Sequence, residues 1–151
     1  MISLIASFYY LDAPDKKKDW VKGARYALLA AEQGHCHCWD WLASIHIHGK
    51  HGQKKDFNLA LKYCENHFEH HHYSAENAGH VLLLENPFRK KRDLRVKGYA
   101  CLLSANHRGA ELTAKQLKNL AKGAKMNETE IKEVTALSKT GFPKPGDKLL
   151  E

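Results

Sequence analysis

Ala43-Ser44-Ile45-His46-Ile47-His48-Gly49-Lys50-His51-Gly52-Gln53-Lys54-Lys55-Asp56-Phe57-Asn58-Leu59-Ala60-Leu61-Lys62-Tyr63 decides the fold, because its pattern stands once already thirty-seven residues earlier in the chain. Ala6-Ser7 falls on Ala43-Ser44, Lys17-Lys18-Asp19-Trp20 on Lys54-Lys55-Asp56-Phe57, and Tyr26 on Tyr63. A third copy follows at an offset of thirty-six, with Gly79 in the small-residue position and with Lys90-Lys91 and Asp93-Leu94 closing the same connection. Self-similarity at this period marks a stacked helical array, in which each unit is too small to bury its own apolar face and borrows its neighbours. Such arrays bind other molecules far more often than they carry chemistry.

Each unit reads as a small-residue helix, a basic loop, and an amphipathic helix opened by Asp plus an aromatic residue or Leu. In the middle unit Trp39, Leu42, Ala43 and Ile45-His46 form a helical stripe. Gly49 and Gly52 break it, and Asp56 offers its carboxylate to the free amides of the next helix. Phe57, Ala60, Leu61, Cys64 and Phe68 then recur at three- and four-residue steps as one buried face. Trp20, Phe57 and Leu94 share one position, where each is expected to plug the gap between its own helix pair and the neighbouring one. Gly34 and Gly109 end helices at places needing a left-handed residue, and His71 holds that place in the second unit.

Beyond the third unit, Leu112 to Ala124 repeats the apolar spacing through Leu117, Leu120 and Ala121. Asn127 and Glu130 suit a capping box for a last helix carrying Ile131, Val134 and Leu137, which Gly141 and Pro143 stop. That helix is expected to cover the open end of the stack. Residues 141–151 read as a C-terminal tail with little to bury.

The chain has 151 residues, enough for one domain that buries about two-thirds of its unfolded surface, and a net charge of +7. Charge of this sign favours acidic partners and bears on association rather than on fold. Cys36, Cys38, Cys64 and Cys101 lack the spacing of a disulfide framework and read as free thiols of a reducing cytoplasm. The apolar opening Met1 to Tyr10 has no basic flank and maps onto the first helix of the repeat, so it reads as structure rather than as a leader. No run approaches the roughly twenty apolar residues of a membrane span.

Ala30-Ala31-Glu32-Gln33-Gly34-His35 resembles the helix-end motif of the Sel-one-like repeat family, relatives of the tetratricopeptide repeat. Leu42-Ala43 resembles its small pair, Gly49 its loop glycine, and Asp56-Phe57-Asn58-Leu59-Ala60-Leu61 its second-helix start. The likeness covers residues 3–124. It implies an all-α, right-handed α-solenoid (α/α superhelix) of about three Sel-one-like helix pairs plus two C-terminal helices, filling residues 1–140. The same resemblance implies a cytoplasmic adaptor or inhibitor, in bacteria including immunity proteins that neutralise secreted toxins. Asn86-Pro87 in place of a loop glycine pair points to units specialised for one partner.

Two surfaces are candidates for that partner. Basic loops occur in every unit, with Lys17 and Lys18 beside Lys16, then Lys54 and Lys55, then Arg89, Lys90, Lys91 and Arg92. Stacking would align them along one edge as a strip for an acidic protein surface, with arginines as paired donors and lysines as point charges. A solvated loop edge that merely confers solubility is the competing explanation. The inner face, built from first helices, would add Tyr9, Trp41, His48, Asn77 and His80. Trp39 and Trp41 stand about 200° apart on a helix, so one of them is expected in the core.

Eleven histidines, clustered around His35-Cys36-His37-Cys38, around His46, His48 and His51, and around His67 with His70-His71-His72, raise a zinc site in which His67 and His71 share a helical face. The spacing matches no familiar finger, so no metal or other cofactor is assigned, and the residues read as turn and helix-end positions. His46 replaces the Tyr9 of the first unit and is expected to be a partly buried, hydrogen-bonded packing residue. No nucleophile, oriented base and oxyanion site occur together, which points away from an enzyme. Nucleic acid is disfavoured because no aromatic residues interleave the basic groups. A metal- or nucleic-acid-binding regulator stays as the alternative, and the oligomeric state is left open.

Overall fold

The computed structural model describes residues 19–50, 52–68 and 72–150. Tyr9, Lys16, Lys17, Lys18, His51, His70, His71 and the side chain of Trp20 lie outside the described residues. Among the described residues there are seven α-helices and no strands: α1 Trp20–Glu32, α2 His37–His48, α3 Phe57–Glu65, α4 His72–Leu84, α5 Arg92–His107, α6 Ala114–Gly123 and α7 Glu128–Lys139. A short 3-10 turn, Phe88–Lys90, precedes α5. The chain forms two compact units, one ending at His67 and the other beginning at Phe68.

In the first unit α2 packs on both α1 and α3. One buried cluster in it is Ala27, Ala30, Ala31, Cys38 and Leu42, with Leu28, Trp39, Trp41 and Tyr63 lying against them, and Ala43, Ile45, Ala60, Leu61 and Cys64 are buried as well. The helix ends follow their sequence signals. Asp19 accepts from the Lys22 amide and Asp56 from the Leu59 amide, both at 3.0 Å, each satisfying one of the free donors of a first turn. Gly34 is left-handed at φ +101°, which lets the His35 amide reach back to the Ala30 carbonyl at 3.0 Å. Gly49 caps α2 in the same conformation.

The second unit is built on α5, which packs along α4 and carries α7 on another side, while α6 lies against α4 and α5. Leu83, Leu102, Leu117 and Ala124 form one of its buried clusters, and Ala75, Ala105 and Ala110 another. α4 and α5 approach very closely at Gly79 and Gly98: a Cβ built on Gly79 would stand 2.6 Å from Leu102 Cγ and 2.8 Å from the Gly98 carbonyl oxygen. Gly109 ends α5 at φ +109°, and capping boxes open α6 (Thr113 with Gln116) and α7 (Asn127 with Glu130).

Three expectations are corrected by this unit. Asp93 is not a cap. The 3-10 turn delivers the chain so that α5 starts at Arg92, which leaves Asp93 inside the first turn, where its charge still suits the helix dipole. The buried face of α7 is Glu130 and Val134, whereas Ile131 is 36% exposed. The third correction concerns residues 141–150, which are docked: Phe142, Pro143 and Leu149 are buried, Arg108 donates to the Pro143 carbonyl at 2.8 Å, and Lys97 Nζ donates to the Leu149 carbonyl at 3.2 Å. Pro143 stops the helix as expected, but the chain then turns back onto α5 rather than leaving it.

Leu149 is 0% exposed, so Leu149→Ala is expected to cost about 2–4 kcal/mol of stability, a penalty outside the range of an ordinary surface tail. Urea unfolding followed by circular dichroism reads that loss. A change below about 0.5 kcal/mol would show that the segment is not part of the folded unit.

Candidate partner-binding surfaces

Within the first unit the basic pair Lys54-Lys55 is exposed and is held by its backbone rather than by its charges. His46, half-buried on α2, donates from Nδ1 to the Lys54 carbonyl at 3.3 Å, and the Asp56 amide donates to the His46 carbonyl at 2.9 Å. His46 also faces Tyr63, ring centroids 5.8 Å apart. The expected packing histidine is therefore also the clip that fixes the loop. Burial raises the Tyr63 hydroxyl pKa, with Asp56 and Glu32 adding to the shift, so this ring stays neutral. Lys54 and Lys55 stand beside the C-terminal end of α2, where the helix dipole favours cations. His48 is exposed there as well.

Trp39 and Trp41 do not divide into core and surface. Both are half-buried and both lie against the alanine-rich cluster, Trp39 with its ring 5.7 Å from that of Tyr63. The small side chains of Ala27, Ala30 and Ala31 leave enough width for two indoles.

The second unit carries the strongest basic loop, and its four cations are not equivalent. Phe88 is 5% exposed and anchors the turn. Arg89 donates from Nε to Asn86 Oδ1 at 3.1 Å, and Arg95 donates from Nη1 to the Arg89 carbonyl at 2.9 Å. Arg92 is paired with Glu133 on α7. Lys90 and Lys91 are exposed with no ion-pair partner among the described residues. So Arg92, expected to offer a free carboxylate clamp, is largely occupied within the molecule. Below it Arg95 meets Glu130 through Nε at 3.1 Å and through Nη2, so the pairs Arg92–Glu133 and Arg95–Glu130 form two rungs between antiparallel α5 and α7. Asn77 and His80 are half-buried on α4, and His80 Nε2 lies 3.9 Å from Glu76 Oε1.

α6 carries a further basic face that the loop pattern did not reveal. Lys115, Lys118 and Lys122 are all exposed, and the helix contains no acidic residue. Next to it is an open apolar pocket of about 330 Å³ lined by His80, Leu84, Leu112, Gln116, Asn119 and Leu120.

The histidine and cysteine clusters separate. His67 is 1% exposed and donates from Nδ1 to Asp40 Oδ2 at 2.9 Å, with the His37 ring edge-on at 5.8 Å. A buried Asp–His pair can orient a base, but a ring so enclosed is out of reach of a substrate, and here it fastens the turn after α3 to α2. Among the described residues no group of three or more His, Cys, Asp or Glu side chains is disposed to hold a metal ion. All four cysteines are unbridged. Burial pushes the Cys101 thiol far above its usual range, and Cys38 is raised by burial and then by Cys36, so neither is a ready thiolate.

No helix among the described residues is long and apolar enough to cross a membrane. No protein-family model, curated protein or solved structure matches the chain.

Proposed function

We propose that the chain is a non-enzymatic protein-binding module, an adaptor or inhibitor of the Sel-one-like kind, whose helix pairs stack as a right-handed solenoid and whose partner presents an acidic surface. The observation that carries this reading is the presentation of Lys90 and Lys91. Their loop is pinned from inside by Phe88 and by the Arg95 bond to the Arg89 carbonyl, while the two ammonium groups face solvent without an ion-pair partner among the described residues. A rigid support for unpaired charge lowers the ordering cost of binding, which a floppy, solubilising lysine loop would not do. The net charge of +7 acts in the same direction by steering acidic partners toward the molecule. Unbridged cysteines suit a reducing, cytoplasmic setting. Neutralisation of a secreted toxin, as an immunity protein, is the sharpest form of the proposal, and a toxin gene adjacent to this one would favour it.

Pull-down from a native lysate with mass spectrometry names the partner, and titration at several salt concentrations tests the mode of binding. Replacing Lys90 and Lys91 together by serine is expected to weaken binding about tenfold, at roughly 0.5–1 kcal/mol for each exposed charge, and to flatten its salt dependence. Arg92→Ser should cost less, because its guanidinium already serves Glu133. Affinity unaltered by the lysine pair would remove the loop from the binding surface.

A further inference from the structure

The pocket between α4 and α6 has the wrong shape for an enclosed small molecule. Its floor is apolar, since Leu112 and Leu120 lie on the Leu83, Leu102 and Leu117 cluster, but its rim is open: Gln116 and Asn119 are exposed and Leu84 is 41% exposed. A free ligand there would keep one side in water, whereas pockets that hold small molecules bury most of the ligand surface. A side chain carried on a longer segment has no such difficulty, because the rest of the segment gains contacts outside.

Charge identifies the segment. Asn119 sits on the rim, and on a helix surface its neighbours are the residues four before and three after, Lys115 and Lys122, with Lys118 completing the triangle. None of the three makes an ion pair among the described residues. Across the pocket, on α4, the carboxylate of Glu76 lies 3.9 Å from the ring of the lining residue His80. Carboxylates of a visitor are therefore drawn to the α6 side and repelled from the α4 side, which orients the visitor as well as holding it.

We infer that this pocket takes one large apolar side chain from an acidic segment of another protein, whose flanking carboxylates pair with Lys115, Lys118 and Lys122. This rests on the binding reading proposed above and gives it an anchor separate from the Lys90-Lys91 loop. An apolar anchor in a pocket with charges at its margin is the usual division of labour in an interface: the anchor supplies affinity, and the rim supplies orientation and rate.

The test is to pan a display library of random twelve-residue peptides on the full chain and measure the enriched peptides by fluorescence anisotropy. The expected peptides carry one Leu, Met, Phe or Trp flanked by Asp or Glu. Asn119→Trp, which fills the pocket from an exposed helix position, and the double variant Lys115→Glu, Lys122→Glu should each weaken them about tenfold or more. Gln116→Trp provides a second filled pocket if the first unfolds, as thermal melting will show. Lys90→Ser with Lys91→Ser should change peptide affinity by less than about twofold, since that loop is not part of the site. Peptides indifferent to both filled pockets but sensitive to the loop lysines would overturn the pocket and leave the acidic-partner reading standing. No acidic enrichment at all would end both. Tighter binding of a single-stranded oligonucleotide at the same lysines, or self-association that Asn119→Trp abolishes, would likewise replace the proposed occupant.

Discussion

Gly98→Ala is expected to destabilise the second unit by about 2–3 kcal/mol, even though alanine is the better helix former by roughly 1 kcal/mol. The reason is the crossing of α4 and α5. A Cβ at residue 98 would lie 2.8 Å from Leu82 Cβ and 3.1 Å from Leu83 Cγ, and the first of these is attached directly to the backbone of the facing helix, so it cannot swing away. Gly79→Ala meets the same wall from the other side, 2.6 Å from Leu102 Cγ and 2.8 Å from the Gly98 carbonyl oxygen. Relief requires the helices to separate by a sizeable fraction of an ångström, which loosens the contacts of Leu83 and Leu102 in their buried cluster. Gly123→Ala is the control: nothing lies within 4 Å of its Cβ, so there alanine should be neutral or stabilising by up to about 1 kcal/mol. Denaturant unfolding of the three variants decides the matter. Equal, small effects at residues 79, 98 and 123 would mean that the two helices do not pack glycine to glycine.

A buried small residue at position 79 was legible from the thirty-six-residue offset, which sets Gly79 on Ala43, and each of the two is buried in its own helix. Legible too were the caps at Asp56, Asn127, Gly34 and Gly109, since capping is a short-range affair in which donor, acceptor and permitted φ all lie within a few residues. What escaped reading depends on partners far apart in the chain. Glu130 looked like half of a capping box and is that, its Oε2 accepting from the Asn127 amide at 2.9 Å, yet its other oxygen is committed to Arg95 thirty-five residues away. Arg92 looked like a free clamp because Glu133, forty-one residues on, could not be placed opposite it without knowing that α5 and α7 run antiparallel. Leu149 gave no periodic signal, having only a proline- and glycine-bearing segment around it, and its burial is decided by where α5 lies. The lysine face of α6 was present in the spacing of Lys115, Lys118 and Lys122, and a helical projection of residues 114–123 would have found it.

Glu130→Ala should be among the most damaging single substitutions in the chain, lowering stability by about 3–5 kcal/mol. The carboxylate is 0% exposed and serves three donors at once: Arg95 Nε, Arg95 Nη2 and the Asn127 amide. Its removal leaves a guanidinium only 17% exposed without its anion and leaves the first turn of α7 with an amide unsatisfied. A hydrophobic exchange of both partners tells whether the loss is one of broken pairing or of packing, because taking out both charges avoids the stranded ion. Arg95→Met combined with Glu130→Met should therefore recover at least half of the loss caused by Glu130→Ala, and a double variant as unstable as the single would mean that the ion pair is incidental. The two variants also separate stability from binding. Arg95 donates to the Arg89 carbonyl and so fastens the loop that carries Lys90 and Lys91. The Arg95→Met, Glu130→Met protein, even where its stability recovers, should present that loop less rigidly and bind an acidic partner more weakly, with the weakening seen mainly as faster dissociation. Unimpaired dissociation kinetics in a folded double variant would detach the buried pair from the binding surface and leave it a purely structural tie between α5 and α7.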